Sequence, residues 1–224
     1  NLLKELGVNF IINKKFDIKF SKIKSVDFIR KVIFKKLKAK FIFVSDNFRF
    51  GNKREGNVSQ LLQYESKYGY KIIKPKPLKL DKKITSSSLI RDLLQRGNLN
   101  KANNLLKRNW TIIGKVEKGR QFGKKIGFPT CNIDIKDYIL AQPGVYAVRV
   151  LRKKSQKKLS GIANLGYRPT FNQKKILLEV HLFNFSGNLY NKLLSVQFLK
   201  FIRKEKKFKN IDQLRKQIKS DLSI

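Results

Sequence analysis

Near Trp110 the sequence changes its pattern, and that change limits what the chain can fold into. Before it, helical stripes alternate with short apolar runs. After it, short strands follow one another, separated by Gly, Pro, Asn and lysine-rich turns. Helices alternating with strands argue for a parallel-sheet α/β unit. Closely spaced short strands argue for a small antiparallel barrel. The expectation is therefore two domains, residues 1–108 and 109–224, with no internal repeat.

In the first part, Leu2, Leu3 and Leu6 suggest a short helix, and Val8–Ile12 a strand after Gly7. Ser25 is placed to cap a helix in which Val26, Ile29, Ile33 and Leu37 form one stripe. Phe41–Val44 is a fully apolar run of the kind found in buried parallel strands. It leads into Ser45-Asp46-Asn47-Phe48-Arg49-Phe50-Gly51, a polar loop at a strand's carboxyl end, where open α/β sheets hold ligands. A helix over Asn57–Tyr68 should end at Gly69, before a strand at Tyr70–Ile73 and a Pro75-Lys76-Pro77 break. Ser86-Ser87-Ser88 offers capping hydroxyls to a helix carrying Ile90, Leu93 and Leu94, stopped by Gly97. Asn100 opens another short helix through Leu106.

The second part holds the chemistry. Strands are expected at 112–118, 145–151, 159–164, 176–183 and 194–201, and a closing helix capped by Asn210 has Ile211, Leu214 and Ile218 on its inner face. The stretch Gly119-Arg120-Gln121-Phe122-Gly123-Lys124-Lys125-Ile126-Gly127-Phe128-Pro129-Thr130-Cys131-Asn132 joins a glycine-lysine loop to a rigid Pro-Thr-Cys-Asn segment. Glycines let backbone approach a ligand closely, and unpaired N–H groups in such loops cradle phosphate oxygens. If the segment is extended, Thr130 and Asn132 point to one side and could hold a hydrated Mg²⁺ with its phosphates. Taken alone, the stretch reads as a lysine-rich hairpin. In Ile176–Phe183, strand alternation puts Glu179 and His181 on one face and Leu178, Val180 and Leu182 on the other. A carboxylate and an imidazole on an otherwise apolar strand are costly to bury without a partner or a purpose. A lone histidine is more often structural than a proton shuttle, and Glu179 could simply pair with a lysine. Two further segments accompany these: Gly161–Phe171, and Phe201–Phe208 with Arg203 at a strand end.

Composition excludes several classes. A 224-residue chain with 41% apolar residues can build real cores, and no apolar run is long enough to span a bilayer as a helix. One cysteine, Cys131, and one histidine rule out a disulfide framework and a cysteine-ligated zinc site, and fit a reducing cytoplasm. The net charge of +37 comes from 52 basic and 15 acidic residues. The lysines are spread along the chain and are not gathered with aromatics into one stripe, which speaks against a specific nucleic-acid interface and leaves non-specific attraction to polyanions. Nothing in the sequence sets an oligomeric state.

The order and spacing of these segments resemble the bacterial bifunctional riboflavin kinase/FAD synthetase family. Gly127-Phe128-Pro129-Thr130-Cys131-Asn132 resembles that family's Pro-Thr-Ala-Asn signature, with Cys131 in place of alanine. Asn164–Phe171, Leu178–Phe185 and Phe201–Phe208 follow in the family's order. The resemblance implies a six-stranded Greek-key riboflavin kinase barrel with a C-terminal helix, using ATP and Mg²⁺ to phosphorylate riboflavin to FMN. It implies Glu179 as general base, Thr130 and Asn132 as Mg²⁺ and phosphate ligands, and Gly119, Lys124, Asn184 and Tyr190 around ATP. Arg203, Lys206 and Phe208 would surround the flavin. Phosphoryl transfer needs mainly positioning and charge neutralisation, which a small loop-lined site can supply.

The first part is similar to the later portion of that family's Rossmann-like FMN adenylyltransferase domain. Asp46, Asn47, Phe48 and Arg49 resemble its Asp-Phe-Arg-Phe-Gly loop, and Ser86, Ser87, Ser88 and Arg91 resemble its Ser-Ser-Thr-x-Ile-Arg segment. The family's earlier His-x-Gly-His motif has no counterpart, because the lone histidine is His181. The expectation is an incomplete adenylyltransferase domain, with FAD formation expected of the full-length family member and not of this chain as written. The alternatives are a fragment of a bifunctional enzyme and a remnant adenylyltransferase half; Asn1 at the start and the lack of methionine favour the fragment. The rival expectations are a non-catalytic flavin-binding protein and a basic nucleic-acid-binding module.

Overall fold

The structure, a computed structural model, describes residues 2–80, 83–119, 121–135, 138–152, 155–169 and 174–223. Asn1, Arg120, Thr170 and Phe171 of the segments above lie outside the described residues. By contacts, the chain divides into two compact units, Asn1–Leu78 and Lys79–Ile224.

The first unit is built around Ile29, Ile33, Phe50, Leu61 and Tyr70. Strand β1 (Phe41–Phe43) pairs in parallel with β2 (Lys71–Ile73). The parallel pairing expected from the helix–strand alternation is present, but burial of the Phe41–Val44 run is not complete. Phe41 and Phe43 are 63% and 66% exposed, because this pair is the whole of its sheet among the described residues and one face stays uncovered. Val8–Ile12 forms no strand: with no ladder partner, it stays irregular and exposed. The Ser25 segment begins as a helix at Ser25–Asp27 and continues as a π-helix over Phe28–Lys36. The wider turn keeps Ile29 and Ile33 on the inner face and rotates Val26 and Leu37 toward solvent. Ser25 is the first helical residue rather than the cap, and its amide donates to Glu55 Oε1 at 2.6 Å. Asn57 does cap the helix that follows it, accepting from the Gln60 amide at 2.9 Å. Gly69 closes that region in the left-handed conformation, φ 65°.

The second unit is a closed barrel of six strands. They are β3 (Thr111–Glu117), β4 (Cys131–Asp134), β5 (Gly144–Arg152), β6 (Ser155–Pro169), β7 (Lys174–Leu182) and β8 (Leu193–Lys204). Around the barrel the order is β6-β7-β4-β3-β8-β5, with every pairing antiparallel. The β4–β5 and β7–β8 links join strands that are not neighbours, which is the Greek-key order expected. Alternation fills the interior with Ile112, Val116, Ile133, Leu178, Val180 and Phe198 among others. The Phe198 ring lies 4.5 Å from Trp110 and 5.0 Å edge-on to Tyr146, contacts worth about 0.5–1.5 kcal/mol each beyond burial.

Helices α1 (Ser87–Gln95) and α2 (Leu99–Leu106) pack on the barrel, with Leu94, Leu99 and Ala102 in its core cluster. Ser86 caps α1, accepting from the Leu89 amide at 3.2 Å. Asn103 fastens α2: its Nδ2 donates to Phe198 O at 3.0 Å and its Oδ1 accepts from the Trp110 amide at 2.7 Å. Packing thus groups these two helices with the barrel, while the strand-rich pattern begins only after them. Two further helices border the site: α3 (Phe122–Lys125) in the glycine-lysine loop and α4 (Ile211–Leu222) at the end of the chain. Asn210 caps α4, accepting from the Gln213 amide at 3.0 Å. Leu214 and Ile218 turn inward as expected, whereas Ile211, in the first turn, is 48% exposed.

Candidate active site

The side chains singled out in the second half gather on the outer face of the barrel, opposite in alternation to the core residues. Across β4 and β7, Asn132 is the register partner of Glu179; across β7 and β6, Glu179 is the partner of Asn164. Directly opposed residues on one sheet face have Cβ atoms about 4.5–5.5 Å apart. Asn132 and Asn164 therefore flank the carboxylate from both sides. Strand β4 was not foreseen as a strand, yet it carries this relationship.

These residues line a cavity of about 300 Å³, the lower end of the range for small-molecule sites. Gly119, Thr130, Asn132 and Glu179 border it, as do Tyr190, Arg203, Lys206 and Phe208. A second cleft of about 450 Å³ is lined by Lys124, Cys131, Phe185 and Asn188, and it shares Gln121, Thr130 and Tyr190 with the first. Of the expected residues of this half, Asn184 lines neither; it is an exposed turn residue with φ 48°, a conformation that asparagine tolerates better than most residues.

The loop sits close because glycines allow it. A Cβ on Gly119 would come 1.5 Å from Asn132 Nδ2, and one on Gly123 would come 2.4 Å from Phe128 O. Asn132 is 7% exposed, and its Oδ1 is buried without a hydrogen-bond donor among the described residues. A buried orphan acceptor in a native site calls for an explanation such as an ion, and an amide oxygen and a threonine hydroxyl lining the same cavity are oxygen donors suited to Mg²⁺. Among the described residues, no cluster of three His, Cys, Asp or Glu side chains offers an all-protein metal cage. His181 has a structural contact: its Nδ1 lies 2.8 Å from Pro129 O and its ring meets Phe128 edge-on at 5.7 Å, bracing the segment that presents Thr130. Burial pushes the Cys131 thiol above its ordinary pKa.

At the other end of the cavity, Arg203 is gripped by Asp221 of α4. Arg203 Nε and Nη2 donate to the two carboxylate oxygens at 2.9 and 2.8 Å, and the guanidinium lies 5.9 Å from the Phe208 ring. Register shifts in β8 between Phe198 and Lys200 and between Phe201 and Arg203 bring Arg203 opposite Val145, which also lines the cavity. Bulges of this kind re-aim side chains. Asp221 and Gln121 were not foreseen. The signal for Asp221 was present: it falls on the same stripe of α4 as Leu214 and Ile218, an acidic residue in an apolar position. Gln121, in the left-handed conformation, donates from Nε2 to Tyr190 Oη at 3.2 Å, tying the loop to the turn before β8.

In the first unit, Asp46 is exposed and pairs with Lys74 at 3.6 Å, the Ser45 hydroxyl donates to Asn47 Oδ1 at 2.7 Å, and Phe48 stacks on Phe50 at 5.6 Å. Arg49 begins a two-residue strand paired with Gly56–Asn57. Ser86, Ser87, Ser88 and Arg91 belong to the second unit, at the start of α1.

Comparison with known proteins agrees with this geometry. The family described as riboflavin kinase matches residues 106–224, and that described as FAD synthetase matches residues 1–89. Relatives called bifunctional riboflavin kinase/FMN adenylyltransferase include those of Haemophilus influenzae, 39% identical over 98% of this chain and 71% of its own length, and of Bacillus subtilis, 33% identical over 99% and 70%. A solved structure described as a macrolide-efflux protein from Streptococcus pneumoniae superposes with a TM-score of 0.86 at 30% identity, covering 99% of this chain and 71% of that one. Among the described residues here, no helix is long and apolar enough to cross a membrane. With its barrel, its outer-face site and relatives matching nearly its whole length, the chain belongs to the bifunctional riboflavin kinase/FMN adenylyltransferase family.

Proposed function

We propose that this chain transfers the γ-phosphoryl group of ATP to the 5′-hydroxyl of riboflavin, giving FMN. The observation that carries the reading is the register pair Asn132–Glu179 in the cavity that shares Gln121, Thr130 and Tyr190 with the larger cleft, with a buried acceptor on Asn132. The larger cleft, bordered by Lys124, Tyr190 and the turn that contains Asn184, takes the nucleotide. Gly119 and the loop backbone lie against its phosphates. Thr130 Oγ1 and Asn132 Oδ1 would hold a Mg²⁺ ion, which supplies neutralising charge to the phosphate oxygens. The smaller cavity takes the flavin, with Arg203, Lys206 and Phe208 around the ring system. Glu179 accepts the proton of the ribityl hydroxyl as that oxygen attacks phosphorus. The flanking Asn132 and Asn164 orient the carboxylate and hydroxyl, and orientation supplies much of the catalysis in such transfers.

Residues 109–224 make up the kinase domain in this reading and residues 1–108 a domain of the adenylyltransferase kind, with Asp46, Asn47, Phe48 and Arg49 in one of its segments and Ser86, Ser87, Ser88 and Arg91 in another. The enzyme works in the cytoplasm on two small-molecule substrates, and its charge of +37 gives it non-specific attraction to polyanions. The test is incubation with riboflavin, ATP and Mg²⁺ and chromatographic separation of flavins. FMN formation that needs all three supports the proposal; riboflavin binding without turnover overturns it in favour of a non-catalytic flavin-binding protein.

A further inference from the structure

We propose that Asp221 is a positioning residue for flavin binding, acting through Arg203, so that the closing helix is part of the flavin subsite. The inference rests on the kinase reading above. Asp221 is 3% exposed, on the inner stripe of α4 beside Leu214 and Ile218. A buried carboxylate carries a desolvation penalty that its partners must offset, whereas a leucine at this position would pack the helix without that penalty. What a leucine cannot supply is orientation.

Every oxygen of Asp221 is committed. Oδ1 accepts from Arg203 Nε at 2.9 Å and from Gln217 Nε2 at 3.0 Å, and Oδ2 accepts from Arg203 Nη2 at 2.8 Å. Arg203 Nη1 donates to Lys204 O at 3.0 Å. The Nε/Nη2 edge of the guanidinium, one of the two that can chelate an oxyanion, is therefore occupied, and Nη1 is tied to the backbone. The group is fixed in plane, with the Phe208 ring 5.9 Å away in the same cavity lining. A planar cation held in this way suits stacking on a flat aromatic ring.

The charges agree. At this end of the cavity Arg203 and Lys206 are matched by Asp221 and Glu205, two cations against two anions, in a chain of net charge +37. A charge-balanced end fits an uncharged fused ring and leaves the phosphate-bearing group to the loop end. Asp221 thus supplies both the orientation and the neutrality.

The test measures riboflavin affinity by flavin fluorescence quenching, and the KM values for riboflavin and ATP, in the wild type, Asp221→Asn, Asp221→Leu, Arg203→Ala and the Asp221→Asn/Arg203→Ala double variant. Asp221→Asn is expected to weaken riboflavin binding roughly tenfold, within the coupling range of contacting residues, while the KM for ATP stays within about twofold of wild type. In the Arg203→Ala background Asp221→Asn is expected to add nothing further. Asp221→Leu adds apolar contact for the helix but leaves Arg203 without its partner, so its fold is checked by thermal unfolding; a folded variant is expected to lose riboflavin affinity to the same degree. Wild-type affinity in a folded Asp221→Leu variant, or full additivity in the double variant, overturns the inference and leaves the kinase reading standing. A wild-type protein that neither binds nor phosphorylates riboflavin overturns both.

Discussion

Asn132 and Glu179 face each other in register across β4 and β7, the carboxylate between two asparagines and the Asn132 oxygen buried without a donor among the described residues. The kinase account turns on this pair, and its neighbours give the first prediction. Asn132→Ala and Thr130→Ala should each lower kcat/KM for ATP by about a hundredfold to a thousandfold, the range for losing one preorganised polar group at a site of developing charge. Titrating Mg²⁺ should show the variants needing more metal for half-maximal rate. A Mg²⁺ dependence like that of the wild type would remove both residues from that role.

Gly119→Ala tests the close approach of the loop. The new methyl would lie 1.5 Å from Asn132 Nδ2, so the amide must move. We expect a loss of at least about tenfold in kcat/KM for ATP, since misplacement by about 1 Å can cost a hundredfold. The thermal midpoint should change little, because Gly119 is part of a surface loop. Full activity would mean that Asn132 need not sit where it does.

Much of this site was legible in the sequence. Alternation alone put Glu179 and His181 on the face opposite Leu178 and Val180, and the proline-led segment marked Thr130 and Asn132. Strand β4 was not, since four residues after Pro129 are too short a run to show a period, and its pairing with β7 is a long-range event. Asp221 was missed because apolar residues alone, Ile211, Leu214 and Ile218, mark the inner face of the closing helix, although Asp221 falls on the same stripe. In the first unit, the π-helical turn shifted Val26 and Leu37 off a stripe that assumed ordinary helical spacing. The Val8–Ile12 run had strand composition and no partner to pair with.

Asn103 should matter for stability and not for chemistry. Asn103→Ala removes bonds to Phe198 O and the Trp110 amide, 3.0 and 2.7 Å long. Leaving such groups unsatisfied costs about 1–3 kcal/mol. Denaturant unfolding should show that loss with an unchanged KM for riboflavin. No change in the midpoint would mean that α2 is held by packing alone.

Cys131 should be a slow nucleophile. Burial raises its thiol pKa, so the reactive thiolate is scarcer at any given pH than for a free cysteine. Alkylation at pH 8 should lag behind a model thiol and accelerate as pH rises. Saturating ATP should slow it further, because Cys131 lines the cleft proposed for the nucleotide. Alkylation as fast as the model thiol would contradict the burial argument.

The central claim is that Glu179 takes the proton from the flavin hydroxyl. The direct measurement is kcat for riboflavin phosphorylation in Glu179→Gln, a substitution that keeps the shape and removes the base. The account predicts a fall of about 10²–10⁴-fold, the usual contribution of general base catalysis, with thermal stability and riboflavin affinity close to wild type. A kcat within a few-fold of wild type would contradict it.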